Sequence, residues 1–177
     1  MEKNLERKNP QRKQNLKSNG YVLIITEKPQ AAGKIAAALA DTTERKITKP
    51  GGVYYYELER NNKKIYIGCA VGHLFTLKQA SNSNSGIPVF DIKWIPNYEA
   101  AKSLQYSKKY YSVLSSLAKK ASEFTIATDY DIEGEVIGLN IIRYICNQKD
   151  ANRMKFSTLT NKELEQAYES KSPTLNW

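Results

Sequence analysis

Apolar positions along the chain alternate between short continuous runs and longer segments with helical periodicity. Residues 21–26 form a continuous β-rich run, which is typical of a strand buried on both faces. The alanine-rich segment 31–40 follows and predicts a helix, with Pro29 suited to the first helical position. Residues 124–127 predict a second buried strand, and the almost wholly apolar segment 136–146 predicts a buried helix after it. Two such strand–helix units indicate an α/β fold.

Shorter elements are predicted between and after these two units. They comprise strands at 53–58 and 63–70 joined by 59–62, a flexible loop at 81–86, an extended segment at 89–96 and a last strand at 154–157. Thr160 and Glu163 have the spacing of a capping box, which predicts a final helix ending near Ser170. The predicted domain covers residues 20–177. It follows a polar, basic segment, 1–19, that predicts a disordered tail.

One further helix is predicted from apolar residues at intervals of four, three and four. These residues are Tyr110, Leu114, Leu117 and Ala121. Lysines cluster near both ends of this helix, at 108–109 and 119–120, where they could contact phosphate groups. The whole chain has 27 Lys and Arg against 18 Asp and Glu, a net charge of +9. Such an excess favours a polyanionic partner, nucleic acid before membrane.

Membrane insertion and secretion are not predicted. The longest apolar run, 21–25, is far too short to cross a bilayer, and the N-terminus has no signal-peptide core. Cys69 and Cys146 are distant in sequence and lie in apolar contexts, so we expect two buried thiols in a reducing cytoplasm.

Three carboxylates at alternate positions follow the second buried strand. Asp129, Asp131 and Glu133 lie on the turn between this strand and its helix, and ligands of open α/β sheets bind at that edge. At least two of them can converge on one point, where a bound cation would relieve their repulsion. Oxygen ligands without His or Cys nearby suit Mg²⁺ or Mn²⁺. The alternative is an acidic surface turn that stabilises a helix N-terminus.

Glu27 and Lys28 end the first buried strand in the same way. If the two strands are parallel neighbours, these residues meet the acidic triplet at one edge of the sheet. A glutamate there could transfer a proton to or from an oxygen leaving phosphorus, and Lys28 could hold a phosphate oxygen. A surface turn is again the alternative. A P-loop is excluded, because position 28 is not Gly and Ile35 stands where Ser or Thr is required.

Four motifs in this order resemble a known family. The pattern D-x-D-x-E-G between a strand and a helix resembles the second signature of the TOPRIM domain, found in type IA and type II topoisomerases, primases and small nucleases. The similarity to type IA DNA topoisomerases is closest. Its motifs are residues 23–29 with Ile35, Gly72-His73-Leu74-Phe75, the acidic segment 127–138, and Arg153 with Phe156, Ser157 and Thr160.

The resemblance implies a TOPRIM fold, with a mainly parallel four-stranded sheet between helices and an inserted extended or β segment. It implies that Glu27 is the catalytic acid/base and Lys28 a group that stabilises phosphate. Asp129, Asp131 and Glu133 would bind Mg²⁺ together with Glu27. DNA with single-stranded segments and the other domains of the same enzyme would be the partners. His73 is either a structural residue or a phosphate contact.

Two departures from the family pattern affect this interpretation. Ile132 stands where many members carry Arg, so a phosphate contact from that position is missing or supplied elsewhere. No tyrosine here lies in a context like that of the family's cleaving residue, so we expect an N-terminal fragment of a larger enzyme. The alternatives are a complete TOPRIM nuclease or primase-like protein, and a non-catalytic Mg²⁺-dependent module that binds nucleic acid.

Overall fold

The computed structural model describes residues 20–80 and 91–175, so the predicted tail at 1–19 and the predicted loop at 81–86 lie outside the described residues. The strands are β1 (Tyr21–Thr26), β2 (Arg45–Thr48), β3 (Tyr54–Arg60), β4 (Lys63–Cys69), β5 (Phe75–Gln79), β6 (Ile92–Pro96), β7 (Ala121–Ala127) and β8 (Asn152–Arg153). The helices are α1 (Pro29–Leu39), α2 (Asn97–Ala100), α3 (Ser107–Ala118), α4 (Ile132–Tyr144) and α5 (Asn161–Glu169), with a 3₁₀ turn at Lys102–Leu104.

The central sheet has the strand order β2-β3-β4-β1-β7-β8. Strand β1 pairs in parallel with β4 and β7, and β8 pairs in parallel with β7. These four strands confirm the mainly parallel sheet expected from the sequence. Strands β3 and β2 add an antiparallel edge beyond β4, so the sheet is wider than the four predicted strands.

The turn between β3 and β4 is shorter than the predicted connection 59–62. Only Asn61 and Asn62 lie outside the two strands, and both have positive φ, 51° and 61°. Asparagine tolerates the left-handed conformation, and two consecutive left-handed residues form the hairpin turn that matches strand twist. Strand pairing therefore continues to Arg60 and Lys63.

Both faces of the sheet are covered by helices, which explains the continuous apolar run in β1. Leu23 and Ile25 belong to the core cluster that also includes residues of α3 and α4. Val22 and Ile24 belong to the opposite cluster, which includes residues of α1 and α5. Because alternate residues of a strand point to opposite faces, every position of the run meets a hydrophobic layer.

Two predicted boundaries and one predicted capping bond are wrong. Ala121 begins β7, because α3 ends at Ala118 and a turn follows it. The last strand lies at Asn152–Arg153 and not at 154–157, although the amide of Met154 still donates to the carbonyl of Ile126. Thr160 is the N-cap residue of α5, but its hydroxyl makes no cap hydrogen bond, so the predicted capping box does not form. The carboxylate of Glu163 accepts instead from the amides of Ser157 and Thr158.

Strands β5 and β6 form a separate antiparallel pair, in agreement with the predicted extended segment as far as it lies in the described residues. Trp94 of β6 packs against the core cluster on the α3–α4 side of the sheet. Within residues 20–80 and 91–175, no helix has the length and apolar character that crossing a membrane requires.

Candidate active site

Parallel pairing brings the turn after β1 and the turn after β7 together at the carboxyl edge of the sheet. Thr26 pairs with Ala127, so the chain leaves β1 and β7 at the same level. Glu27 and Lys28 therefore lie beside Asp129, although about a hundred residues separate them in sequence. The ammonium group of Lys28 donates a hydrogen bond to the Oδ2 atom of Asp129. This ion pair joins the two turns directly.

The carboxylates at this edge share one electrostatic field. Partial burial raises the pKa of Glu27 above its usual value, and the charge of Asp129 raises it further. The charges of Asp131 and Glu133 act in the same direction, whereas Lys28 opposes them. The hydrogen bond to Asp129 is the main reason that the pKa of Lys28 is also raised. The neighbouring acids thus disfavour the charged form of Glu27.

Asp131 has a structural task as well as a charge. It is the N-cap residue of α4, and its Oδ1 atom accepts from the amide of Gly134 at 2.7 Å. The hydroxyl of Thr128 donates to the carbonyl of Gly134 at 2.8 Å. A Cβ atom at position 134 would lie 2.2 Å from the carbonyl oxygen of Asp129, so only glycine fits this closed loop.

Glu133 pairs with His73 across the edge. The Nε2 atom of His73 lies 3.0 Å from Oε1 of Glu133. The imidazole reaches this position from the turn after β4, where Val71 and Gly72 have positive φ of 55° and 83°. The backbone carbonyl of His73 accepts from the side-chain amide of Asn97 at 2.7 Å, which fixes the turn. The histidine ring therefore contacts Glu133, one of the candidate metal ligands.

Arg153 is the residue of this region whose role the sequence analysis missed. Its side chain is fully buried and donates to the carbonyls of Thr128 and Asp129 at 2.9 and 2.8 Å. Its Nε atom donates to Oε1 of Glu135 at 2.5 Å. The signal in the sequence was a fourth acid, Glu135, two residues after the triplet, which could pair with a basic residue. Arg153 therefore fixes the backbone of the acidic loop through two of its carbonyls.

The fit of a metal can be judged from the donors. Within the described ranges, no three His, Cys, Asp or Glu side chains are grouped closely enough to enclose a metal ion. Each acid of the triplet already has a partner. Asp129 accepts from Lys28, Asp131 accepts from the amide of Gly134, and Glu133 contacts His73. The donor chemistry still fits a hydrated Mg²⁺, which keeps several waters and binds through one or two carboxylates and substrate phosphates. The carboxylate charges that raise the pKa of Glu27 are those that a cation would offset.

The parallel sheet, its covering helices and its acidic carboxyl edge define an α/β domain with a ligand site at one edge. A family model described as Toprim domain matches residues 22–159. The chain belongs to the Toprim domain family, whose members bind metal ions.

Relatives and a solved structure agree with this assignment. The chain is 51% identical over 149 residues to DNA topoisomerase 1 of Methanocaldococcus jannaschii, a match over 84% of this chain and 19% of that protein. It is 46% identical over 158 residues to DNA topoisomerase 1 of Pyrococcus furiosus, which covers 88% of this chain and 15% of that protein. The chain thus spans less than a fifth of the length of these relatives.

The fold resembles that of full-length topoisomerase I from Thermotoga maritima. The TM-score is 0.54 at 22% sequence identity, and the match covers 86% of this chain and 21% of that chain. This likeness supports the Toprim fold alone.

Proposed function

We propose that this chain is the Toprim domain of a type IA DNA topoisomerase, an isomerase that cleaves and reseals one DNA strand by transesterification to a tyrosine. The observation that carries the proposal is the joining of Glu27 and Lys28 to the acidic loop at one edge of the sheet. Relatives named DNA topoisomerase 1 support it. The cleaving tyrosine and the other domains would lie outside residues 1–177.

Glu27 is proposed as the acid/base of the cleavage site. When a tyrosine oxygen attacks phosphorus, the bond to the leaving sugar oxygen breaks, and that oxygen needs a proton. Glu27 supplies this proton and takes it back when the strand is resealed. Its raised pKa favours the role, because a carboxyl with a higher pKa holds a proton more readily near neutral pH.

Lys28 and His73 are proposed to bind the phosphate group of single-stranded DNA. The ion pair of Lys28 with Asp129 is exposed, with 59% and 39% of the two side chains accessible. Exposed pairs of this kind contribute little to stability, so Lys28 can exchange its partner for a phosphate oxygen. The side chain of His73 is 37% exposed at the same edge.

Glu27, Asp129, Asp131 and Glu133 are proposed to hold Mg²⁺, or Mn²⁺ in its place. When bound, the ion supplies positive charge that offsets these carboxylates and the charge that develops on phosphate. Because Mg²⁺ shares its shell with substrate, we expect millimolar affinity without DNA. Calorimetric titration with Mn²⁺ should show binding by the wild type and none by Asp129→Asn/Asp131→Asn. Equal binding by both proteins would remove the site.

We further propose that residues 20–177 form one cytoplasmic domain. Helix α5 lies beyond the matched range 22–159, yet its Leu164 packs in the same core cluster as Ile35 of α1. Cys69 and Cys146 are free and buried, which suits a reducing compartment.

Activity should depend on supplying a tyrosine-bearing domain. The chain can be joined in cis to the remaining domains of the M. jannaschii relative and assayed on supercoiled plasmid. We expect relaxation that Glu27→Ala reduces by at least a hundredfold and that Glu165→Ala, an exposed acid on α5, leaves unchanged. Relaxation that survives Glu27→Ala would contradict the assignment.

Residues 1–177 alone should form no covalent adduct with end-labelled single-stranded DNA in Mg²⁺. Label that travels with the denatured protein would overturn the expectation that the tyrosine lies elsewhere. Free nicked product without an adduct would instead favour a stand-alone Toprim nuclease.

A further inference from the structure

Tyr130 lies within the acidic loop, and its ring borders two cations that come from β8 and the residues after it. Asp129 turns to Lys28, whereas the ring of Tyr130 lies beside residues of and after β8. The Nζ atom of Lys155 is 5.1 Å from the ring centroid, and Cζ of Arg153 is 5.8 Å from it. Although two cations border the ring, Tyr130 is 60% exposed. An aromatic side chain beside a cation is therefore largely accessible to solvent within the acidic loop.

Lys155 also borders an open groove against α5. The groove is lined by lysine, hydroxyl and amide groups, which include Lys155, Thr160, Lys162, Gln166 and Ser170. Glu163 also lines it, but the carboxylate of Glu163 accepts hydrogen bonds from the amides of Ser157 and Thr158 and from the Thr158 hydroxyl. Its charge is thus engaged with the preceding loop.

Single-stranded nucleic acid is the partner that this combination of groups fits. Sites that bind such strands without base preference combine aromatic side chains, on which bases stack, with lysines or arginines that follow the phosphates. In a duplex the faces of the bases are covered by their neighbours, so an exposed tyrosine ring would gain little from it. The ring here is 60% exposed, and Lys155, which also lines the groove with Lys162, lies beside it.

We propose that Tyr130 and Lys155 form a contact for single-stranded DNA next to the acidic centre. One base stacks on the ring of Tyr130, and the adjoining phosphates bind Lys155 and Lys162 in the groove against α5. The proposal rests on the proposed function for its choice of DNA, but it requires neither cleavage nor metal. Ile132, the first residue of α4, is 86% exposed and carries no charge, so the proposed contact from Tyr130 lies two residues before it.

The test measures binding of a fluorescein-labelled oligothymidine to the full chain by anisotropy, at low salt and with EDTA. Tyr130→Leu should weaken binding about tenfold, within the range known for loss of one base–aromatic stack, whereas Tyr130→Phe keeps the ring and should stay within twofold. Lys155→Gln should weaken binding and lower the log–log salt slope by about 0.7, as expected for one lost phosphate contact.

Two variants are matched controls. Tyr106→Leu removes a ring that is 53% exposed on another element, and Lys63→Gln removes one charge at the first residue of β4, on the opposite edge of the sheet. Both should bind as the wild type does. Thermal melting should give equal midpoints for Tyr130→Leu and the wild type, because the ring is exposed, so a loss of affinity will not reflect unfolding.

Three results would overturn the proposal: no binding by the wild type, unchanged binding by Tyr130→Leu, or an equal loss in Tyr106→Leu. Equal affinity for a duplex of the same length would also contradict it. Its failure is distinct from failure of the proposed function. If Tyr130→Leu binds normally while Glu27→Ala abolishes plasmid relaxation, only the present inference fails. If the joined enzyme relaxes nothing but Tyr130→Leu loses affinity, the DNA contact remains.

Discussion

Two strand-to-helix turns meet at the carboxyl edge of this sheet, and they are held in opposite ways. The turn after β1 passes straight into α1, whose N-cap residue, Lys28, makes no side-chain cap bond. Its side-chain donors are few: the Glu27 carbonyl accepts from the Cys69 thiol at 3.1 Å and the Lys28 carbonyl from the Thr26 hydroxyl at 3.3 Å, while the Ala32 amide of α1 donates to the Lys28 carbonyl at 3.2 Å.

The turn after β7 is fixed by stronger and more numerous bonds. Asp131 caps α4, the Thr128 hydroxyl closes the loop, and buried Arg153 donates to two loop carbonyls. The comparison separates two tasks. The first turn presents side chains that can exchange partners, and the second provides a fixed frame against which they are placed.

The largest expected effect is at Arg153. Arg153→Met should lower the free energy of unfolding by about 3–5 kcal/mol, because it breaks the buried ion pair with Glu135 and removes the donors of two carbonyls. Urea denaturation measures the loss. The control is Arg45→Met. Arg45 is exposed, its guanidinium lies 3.9 Å from the Glu57 carboxylate, and its loss should leave the urea midpoint equal to that of the wild type. A stable Arg153→Met protein would show that the second turn does not depend on this frame.

A smaller effect is expected from glycines in the two helices. Gly134→Ala places a Cβ atom 2.2 Å from the Asp129 carbonyl oxygen and should destabilise by about 1–3 kcal/mol. Gly33→Ala in α1 meets only the Tyr56 hydroxyl, at 3.0 Å at the end of a flexible side chain, and gains helix propensity. Its denaturation midpoint should be equal or higher. The comparison fails if both substitutions cost the same.

The cap of α4 should contribute less again. Asp131→Ala loses the bond to the Gly134 amide and should cost about 1 kcal/mol, whereas Asp131→Asn retains a capping oxygen and should leave stability nearly unchanged. Mn²⁺ titration of the stable Asp131→Asn protein then reports the carboxylate charge by itself. Equal stability of the Ala and Asn variants would show that the cap bond contributes nothing.

The smallest effect on stability is expected in the first turn. Lys28→Gln should unfold at the wild-type midpoint, since its ion pair is exposed and caps no helix. The same change should reduce relaxation by the enzyme joined in cis by at least tenfold, because a phosphate contact is lost. A lowered midpoint would place Lys28 among the structural residues and weaken the contrast between the turns.

Much of this arrangement could be predicted from the sequence. The continuous apolar runs of β1 and β7 indicated strands buried on both faces, and such strands occur in parallel sheets whose carboxyl ends lie at one edge. If the two strands are parallel neighbours, this pattern alone predicts that Glu27, Lys28 and Asp129 lie together, and the pairing of β1 with β7 meets that condition. The strand–helix order predicted an α/β fold for the same reason, and the resemblance of the motifs to type IA topoisomerases implied the Toprim fold.

The supports of the site could not be predicted, because they depend on contacts between distant parts of the chain. Arg153 belongs to a strand of two residues, too short for any periodicity, and its partners precede it by about 20 residues. The pairing of His73 with Glu133 spans 60 residues and arises only once β4 and β7 flank β1. The spacing of Thr160 and Glu163 predicted a capping box, but the Glu163 carboxylate accepts from amides of the preceding loop.

The ion pair between Lys28 and Asp129 links two binding equilibria at this edge. While the ammonium group occupies Asp129, it competes with any cation for that carboxylate. A phosphate that draws Lys28 away leaves the carboxylate available, so DNA should raise the affinity for Mn²⁺. Thermodynamic reciprocity then requires Mn²⁺ to raise the affinity for DNA by the same factor. In Lys28→Gln this mutual enhancement should shrink, and the domain would bind its two ligands more nearly independently.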